Sequence, residues 1–340
     1  YDSHITMETE HSLIAALAQT IGAKPEYVQG GGGNVSIKIS PTEMAVKASG
    51  FRLADLNATH GLVGINYQTV RGFYDAPPAI TELPALIAAS DALVQTSLLS
   101  SDSTLRPSIE TGFHAILGPV VLHTHSVYAN ILTCAEEGEE ILKRLFPDAV
   151  FVPYHTPGVA LTFAIQKALR GASSDSIFLE NHGLIVVGES TEKAYDLHET
   201  INATIKKHFA ITKPYPAVSL EETESGWQSA TPVLSDFIRN HPEAMSRFKD
   251  TVLFPDQVVY GDQLGFDTTG QHPITINLER GTVTYSTKAG EAHAIEETLI
   301  AWSYIYNHIN DSGLSLKTLS ADEGNFIVNL DSEKYRKGII

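Results

Sequence analysis

Residues 120–130 read Val-Val-Leu-His-Thr-His-Ser-Val-Tyr-Ala-Asn, an apolar run that ends in two histidines separated by one residue. Successive side chains of a β-strand point to opposite faces, so residues two apart share a face. A strand over 120–125 therefore places His123 and His125 side by side at its end. We expect Ser126 to cap a helix that follows this strand.

A third histidine stands in a similar setting further along the chain. His182 directly precedes the apolar run 183–187, which predicts another strand. Three neutral imidazoles with an open fourth position are typical of catalytic rather than structural metal sites. If the two strands are neighbours, His123, His125 and His182 can share one divalent ion.

Glu110 adds a carboxylate to this pattern. It lies early in a helix that we predict just before the strand at 120–125, with Ser108 as its cap. The carboxylate can ligate the metal in the empty site or act as a general base beside it. Taken alone, an acidic residue in a first helical turn simply favours the helix dipole. The other histidines that compete as ligands, which we interpret as packing, loop or surface residues, are His114, His155 and His198.

The composition limits the kinds of partner. The chain has 340 residues, 43% apolar and 19% charged, which is typical of a soluble globular protein. Its formal net charge of -17 argues against nucleic acid and anionic membranes, but a small phosphorylated molecule can still bind to local cations and backbone N–H groups. A single cysteine, Cys134, excludes an internal disulfide and a Cys-rich metal site. We expect a cytoplasmic location.

A run of four glycines at 30–33 precedes Asn34. It matches neither the P-loop nor the dinucleotide-binding template, but such a loop lets backbone N–H groups converge on an anion. The alternative is a flexible loop followed by an ordinary hairpin of strands 35–39 and 44–47. The other residues with anion-binding chemistry that can lie beside the loop are Lys47, Ser49, Gly50, Arg106 and Ser108.

The order of strands and helices predicts the architecture. Strands and helices alternate irregularly through residues 1–210, which favours an α/β layered domain with a central mixed, largely antiparallel sheet flanked by helices. The composition changes near 213–216 and then becomes polar and acidic. The remaining residues, 211–340, include a hairpin around 279–281 and a long helix at 290–309. We treat them as an α+β C-terminal extension or subdomain.

The motifs occur in the order found in the class II aldolase/adducin family, which the chain resembles over roughly residues 8–210. The motifs are Gly33-Asn34-Val35-Ser36, Lys47-Ala48-Ser49-Gly50, Arg106-Pro107-Ser108-Ile109-Glu110-Thr111, His123-Thr124-His125 and Asn181-His182-Gly183-Leu184. The third motif and the extension are most similar to the aldolase half of bifunctional aldolase/short-chain dehydrogenase proteins. The family also includes fuculose- and rhamnulose-1-phosphate aldolases.

The resemblance implies an activity and a set of site residues. It implies reversible cleavage of a ketose-1-phosphate type of sugar to dihydroxyacetone phosphate and a short aldehyde, in a homo-oligomer. The implied Zn²⁺ or similar divalent ion is bound by His123, His125 and His182, with Glu110 as the catalytic acid/base. The implied phosphate-binding residues are Gly33, Asn34, Ser49, Gly50 and Ser108.

Two departures from the aldolases bear on this prediction. Ile109 stands where the familiar aldolases carry a serine, which removes one hydroxyl from the phosphate pocket. No motif identifies the tyrosine that the aldolases take from a neighbouring subunit.

Other reactions also stay open, because the same metal site supports 4-epimerases, dehydratases and decarboxylases. A non-catalytic adducin-like assembly module is a further alternative, and the retention of all three histidines argues against it.

Overall fold

The computed structural model describes residues 2–100, 104–266, 270–330, 334 and 337, with side chains from residue 9 onward. The helices are α1 (Asp2–Gly22), α2 (Tyr67–Asp75), α3 (Leu83–Thr96), α4 (Thr111–Ile116), α5 (Val127–Thr133), α6 (Gly138–Leu145), α7 (Val159–Ala168), α8 (Thr191–His208), α9 (Pro232–Asn240), α10 (Pro242–Ser246), α11 (Pro255–Gly261), α12 (Ala289–Asp311) and α13 (Ala321–Val328). The strands are β1 (Asn34–Lys38), β2 (Glu43–Lys47), β3 (Leu62–Asn66), β4 (Val120–Thr124), β5 (Val150–Val152), β6 (Ser176–Leu179), β7 (Gly183–Gly188), β8 (Leu220–Thr223), β9 (Gly226–Ser229), β10 (Leu264–Gly265), β11 (Ile274–Asn277) and β12 (Thr282–Tyr285). None of the helices in these ranges has the length and apolar character that a membrane span requires.

A seven-stranded sheet occupies the first two thirds of the chain, in the order β3-β2-β1-β4-β7-β6-β5. Its neighbouring strands are antiparallel except for the pair β5 and β6, which is parallel. The predicted mixed, largely antiparallel sheet is therefore confirmed. β4, the strand predicted from the first histidine pair, lies at its centre.

Helices cover both faces of this sheet, because its central strands are apolar on both sides. Along β4, Leu122 belongs to an apolar cluster that contains residues of α1, α5 and α8. The preceding residue, Val121, lies on the opposite face. It belongs to a second apolar cluster, which contains Phe113 and Leu161. This alternation gives the layered α/β arrangement that the sequence predicts.

The strand register brings the motifs to one end of the sheet. β1 pairs with β4 so that Asn34 lies opposite His123, and β4 pairs with β7 so that His123 lies opposite Ile185. His182 lies in the tight turn that enters β7. At the end of β4, Ser126 accepts a hydrogen bond from the N–H of Ala129 and caps α5, as predicted.

The helix before β4 begins later than predicted. A turn comes first, in which the Ser108 carbonyl accepts from the N–H of Thr111 (3.1 Å) and the Ser108 hydroxyl accepts from the N–H of Glu110 (3.2 Å). Glu110 therefore holds the N-cap position of α4, and its side chain does not cap the helix. Because the carboxylate is not engaged by the helix, it is available to the histidines.

The extension contains a second sheet, in the order β10-β11-β12-β9-β8, and the long helix α12. The predicted hairpin is β11 and β12. A buried carboxylate, Glu296 of α12, accepts hydrogen bonds from the hydroxyls of Tyr285, Ser229 and Thr231, so the helix is tied to the sheet. Burial raises the pKa of Glu296.

The extension packs against the first sheet's helices and turns. Residues of α5 and of α12, among them Ile131 and Leu299, belong to one continuous apolar cluster. The side-chain amide of Asn181, just before His182, donates to the carbonyls of Leu253 (2.9 Å) and Lys317 (2.7 Å). The turn that carries His182 is therefore held by the extension.

Candidate metal centre

The three predicted histidines meet at one buried point. His123, His125 and His182 are 0%, 6% and 3% exposed, and one ring nitrogen of each lies within 4.8 Å of those of the other two. The Nε2 atoms of His123 and His182 are 3.2 Å apart. Because β4 and β7 are hydrogen-bonded neighbours, a local strand pair and a turn are sufficient to bring the three rings together.

The outer nitrogens of two rings have fixed partners. Nδ1 of His123 lies 3.0 Å from the carbonyl of Leu184, and Nδ1 of His125 lies 3.1 Å from Oδ2 of Asp256. An acceptor at Nδ1 holds the proton there and leaves the lone pair of Nε2 for a metal. For the third ring, burial lowers the pKa of His182 to about 3, which keeps the imidazole neutral as a metal ligand must be.

Glu110 lies against the same nitrogens. Its Oε1 is 3.4 Å from Nε2 of His123, and its Oε2 is 3.5 Å from Nε2 of His182. Burial, the largest single influence, raises the pKa of Glu110, but the neighbouring His123 and His182 outweigh it and hold that pKa well below its usual range. The carboxylate is therefore ionised at neutral pH.

The donor set fits a divalent cation. Oε2 of Glu110, Nε2 of His125 and Nδ1 of His182 are buried, and none of the three has a hydrogen-bond partner among the described residues. Buried polar atoms without partners are rare in folded proteins. Three imidazoles beside a carboxylate match the ligands of Zn²⁺ and similar ions.

A polar cavity opens beside the histidines. Lys47 at its wall is only 2% exposed, and its ammonium donates to the carbonyl of Gly31 (3.2 Å). The amide of Asn34 donates to Oε1 of Glu110 (3.1 Å) and to the hydroxyl of Ser108 (3.4 Å). The other residues that line the cavity are Gly31, Gly33, Ser49, Ile109, His125, Pro157, His182, Pro255 and Asp256.

Backbone pairing brings two of the predicted phosphate-binding segments together. Ala48 forms an isolated antiparallel bridge with Pro107, and the N–H of Ser49 donates to the carbonyl of Arg106 (2.7 Å). Ser49 and Ser108 therefore face the same cavity. Gly50 is buried at the turn that follows, with a φ of +87°, and is not among the cavity's lining residues.

Three N–H groups of the glycine run already have acceptors within the protein. The N–H groups of the run's first three residues donate within the protein: that of Gly30 to Glu297 (3.3 Å), that of Gly31 to the hydroxyl of Tyr260 (2.8 Å), and that of Gly32 to the carbonyl of Gln29 (2.9 Å). Within the run, Gly31 and Gly33 line the cavity.

The competing histidines have other contacts. His114 is buried against Ser36 and Asn34, and burial lowers its pKa well below the usual range. His198 is buried and lies 2.8 Å from the hydroxyl of Thr124. Neither is a member of the metal-binding group found among the described residues. The interpretation of both as packing residues agrees with these contacts.

Asp256 is the residue at this site that sequence reasoning missed. It follows Pro255 at the start of α11, and Pro followed by an acidic residue is the ordinary signature of a helix N-terminus. No local pattern distinguishes it from the other acidic residues of the extension. Only the packing of the extension against the first sheet places it beside His125.

Comparison with known proteins agrees with the fold and identifies the family. The family model described as the class II aldolase and adducin N-terminal domain matches residues 12–208. A solved structure, the N-terminal class II aldolase domain of a conserved protein from Thermoplasma acidophilum, is 25% identical, with a TM-score of 0.50, and the match covers 58% of this chain and 92% of that one. The chain therefore belongs to the class II aldolase/adducin family.

Two curated relatives carry different names. A protein of Bacillus subtilis (strain 168) named uncharacterized oxidoreductase YuxG is 29% identical over 207 residues, 55% of this chain and 29% of that protein. A protein of Escherichia coli O6:H1 (strain CFT073) named 3-oxo-tetronate 4-phosphate decarboxylase is 31% identical over 121 residues, 31% of this chain and 57% of that protein. The matches thus span less than two thirds of each relative.

Proposed function

We propose that this protein is a divalent-metal-dependent aldehyde-lyase that reversibly cleaves a phosphorylated ketose of the ketose-1-phosphate type to dihydroxyacetone phosphate and a short aldehyde. The observation that carries the proposal is the position of Glu110, whose ionised carboxylate lies between two of the clustered histidines and beside a polar cavity. This arrangement supports the proposal, because a proton acceptor would lie next to the bound metal ion and to the wall that would bind the phosphate.

His123, His125 and His182 would hold the ion. A bound Zn²⁺ or similar cation would supply Lewis-acid stabilisation of the negative charge that develops next to the substrate carbonyl. His123 lies on the β4–β7 pair and its Nδ1 is 3.0 Å from the carbonyl of Leu184, so its ring needs little rearrangement to bind the ion.

Glu110 would move the proton. In the cleavage direction the electron pair of the broken C–C bond stays on the carbon next to the carbonyl, and the hydroxyl of the departing fragment gives its proton to water as it becomes an aldehyde. Glu110 takes up a proton from water and delivers it to that carbon, and in the condensation direction it removes the same proton and returns it to water. Its lowered pKa keeps the carboxylate ionised, the form that can accept a proton.

The cavity wall would bind the phosphate. Lys47 supplies a positive charge, and Asn34, Ser49 and Ser108 supply hydrogen-bond donors. Phosphate binding would fix the reacting carbons against the metal centre and so contribute to catalysis as well as to affinity. Gly33 lines the cavity at this wall, while Gly50 would act indirectly by shaping the turn after Ser49.

Decarboxylation of a phosphorylated sugar acid is the second candidate, and the decarboxylase name of the relative from Escherichia coli favours it. In both reactions a C–C bond next to a carbonyl breaks and its electrons remain on the adjacent carbon, so the same metal centre serves both. Epimerisation and dehydration share this logic. An adducin-like assembly role remains the non-enzymatic alternative.

The test combines metal analysis with product detection. We expect near one divalent ion per chain, lost in the variant with both His123→Ala and His125→Ala. Ketose phosphates are then screened for release of dihydroxyacetone phosphate, and phosphorylated keto acids for release of CO₂. Release of CO₂ without dihydroxyacetone phosphate would replace the aldolase by the decarboxylase, and absence of metal after reconstitution would contradict both.

Glu110→Gln tests the role of the carboxylate. We expect the variant to retain its metal and to lose about 10²- to 10⁴-fold in turnover, the range typical of a general acid–base residue. Glu189→Gln, which changes a carboxylate that is 81% exposed, is the matched control and leaves turnover unchanged. Wild-type turnover in Glu110→Gln would refute the assignment.

Assembly and location complete the proposal. We infer a homo-oligomer from the family to which the chain belongs, and light scattering on the purified protein determines the number of subunits. The one cysteine, Cys134, is buried as a free thiol, which is compatible with the cytoplasm that we propose as its location.

A further inference from the structure

Asp256 is a buried carboxylate that the extension brings to the metal centre. It is 2% exposed, it lines the cavity, and its Oδ2 lies 3.1 Å from Nδ1 of His125. It lies outside residues 12–208, the part of the chain that matches the family model. A site formed by that part alone would therefore leave His125 without this partner.

The helix that carries Asp256 is fixed to the glycine run. Tyr260 is four residues after Asp256 on α11, so both side chains lie on one face of the helix. The hydroxyl of Tyr260 accepts the N–H of Gly31 at 2.8 Å, and Tyr260 is 1% exposed. A second contact comes from α12, where Glu297 accepts the N–H of Gly30 and binds Arg52 at 2.7 Å. Asp256 is thus held in place by its surroundings.

Gly32 provides independent support for the contact. A Cβ atom at this position would lie 2.5 Å from Oδ2 of Asp256 and 2.7 Å from Nδ1 of His125. Any side chain at residue 32 would therefore separate the two groups. The absence of a side chain is what allows the carboxylate and the ring to come within hydrogen-bond distance.

The contact has a defined effect on the ring. A carboxylate at Nδ1 keeps the proton on that nitrogen, orients the imidazole and makes Nε2 a better donor to a metal. Nε2 of His125 is one of the buried atoms that lack a hydrogen-bond partner among the described residues. The carboxylate thus orients the one nitrogen of His125 that is free to bind an ion.

We propose that Asp256 is the positioning residue of the metal centre: it fixes the tautomer and orientation of His125 and so strengthens metal binding. The proposal rests on the metal site of the proposed function but not on which reaction follows. The extension then has a role in the chemistry, because the carboxylate of one of its side chains lies 3.1 Å from the ring nitrogen of a metal ligand.

The experiment measures metal binding to the full chain in the absence of substrate. Asp256→Ala and Asp256→Asn are titrated with Zn²⁺ against a chromogenic chelator, and the Co²⁺-substituted proteins are compared by visible absorption. We expect Asp256→Ala to weaken Zn²⁺ binding by about 10- to 100-fold, the usual effect of removing such a partner. Asp256→Asn keeps a neutral oxygen acceptor and falls between Asp256→Ala and the wild type, and both variants shift the Co²⁺ spectrum.

Two controls separate this role from a purely structural one. Asp262→Asn changes an exposed carboxylate just after the same helix, and wild-type Zn²⁺ affinity is expected. Thermal unfolding of the metal-free proteins reports any general damage. Equal losses of Zn²⁺ affinity in Asp256→Ala and Asp256→Asn, in step with a lower melting temperature and with an unchanged Co²⁺ spectrum, would overturn the proposal.

Failure of this proposal is distinguishable from failure of the proposed function. Wild-type Zn²⁺ affinity in Asp256→Ala refutes the positioning role and leaves the metal-dependent lyase intact. A wild-type protein that binds no divalent ion refutes the metal site itself, and the role of Asp256 with it.

Discussion

At the scale of single residues, Gly32 matters through the side chain that it lacks. Gly32→Ala would push a methyl group between His125 and Asp256, and we expect Zn²⁺ affinity to fall by about tenfold or more because the ring loses its orienting partner. The measurement is the same chelator competition on the full chain. Unchanged affinity would show that the His125–Asp256 contact does not govern metal binding.

Gly72→Ala is the matched control for that substitution. Gly72 lies inside α2, and an added Cβ would meet nothing within 4 Å. Alanine in a helix interior is more favourable than glycine by about 0.5–1 kcal/mol, so this variant keeps its metal affinity and becomes slightly more stable.

Lys47 provides the second prediction for a single residue. Lys47→Met keeps most of the side-chain volume but removes the buried positive charge of the cavity wall. Hydrogen bonds to charged groups contribute about 1.5–3 kcal/mol, so we expect binding of inorganic phosphate, measured by calorimetry, to weaken by about 10- to 100-fold. Lys193→Met, at a lysine that is 67% exposed, is the control. Equal phosphate affinity in the two variants would exclude Lys47 from the anion site.

Sequence reasoning predicted the clustering of three histidines, which a local pattern fixes. The two-residue spacing of His123 and His125 follows from strand geometry, and His182 is recognisable from the strand it precedes. Asp256 has no such pattern, because its contact with His125 depends on how two distant segments pack. The partners of the glycine run were not predictable for a related reason: the side chains that accept the N–H groups of Gly31 and Gly30, those of Tyr260 and Glu297, lie in the extension.

At the scale of secondary-structure elements, the contact between α12 and the second sheet predicts a dependence of stability on pH. The pKa of Glu296 is raised in the folded protein, so between the unfolded and folded pKa values the folded state holds more protons than the unfolded state. The free energy of unfolding therefore decreases as the pH rises through this interval. Glu296→Gln lacks the titrating group, so its free energy of unfolding should not show this decrease.

The measurement is urea unfolding of wild type and Glu296→Gln from about pH 5 to 8. As the pH rises, we expect the unfolding free energy of the variant to increase relative to that of the wild type. Glu224→Gln, at an exposed carboxylate in the turn between β8 and β9, should follow the wild-type profile. Parallel profiles for Glu296→Gln and wild type would contradict the prediction.

Elements with a strong pattern of their own were predictable, and elements formed by pairing were not. β4, β7 and α12 have clear apolar runs or faces, and the structure forms them close to the expected bounds. β8 consists of Leu-Glu-Glu-Thr and has no buried residue, so nothing in its own sequence indicates a strand. It forms because β9 pairs with it, and β9 in turn pairs with β12.

At the scale of the whole molecule, the class of fold follows from the motifs and the alternation of elements, but the position of the extension does not. Apolar residues on α12 predict that the helix is buried without indicating which surface covers it. The structure packs α12 against α5, which begins directly after the histidine strand. The division at residue 210 therefore stays a prediction about domains, and cooperativity of unfolding tests it.

We expect the chain to unfold as one cooperative unit, because a single apolar cluster includes residues of both parts. Both tryptophans, Trp227 and Trp302, lie in the extension, so their fluorescence reports on it alone. Pulsed hydrogen exchange with mass spectrometry reports on β4 and β7 in the same urea series. The two probes should give coincident midpoints.

Leu299→Ala makes this test stricter while keeping both tryptophans. Leu299 is fully buried in α12, and its truncation costs about 2–5 kcal/mol through lost packing and the cavity that remains. In one cooperative unit, this change in the extension lowers the urea midpoint of β4 and β7 as much as that of the tryptophans. Protection of β4 and β7 that persists at urea concentrations where the tryptophans are already exposed would show two independent domains. The metal centre would then lose Asp256 whenever the extension opened.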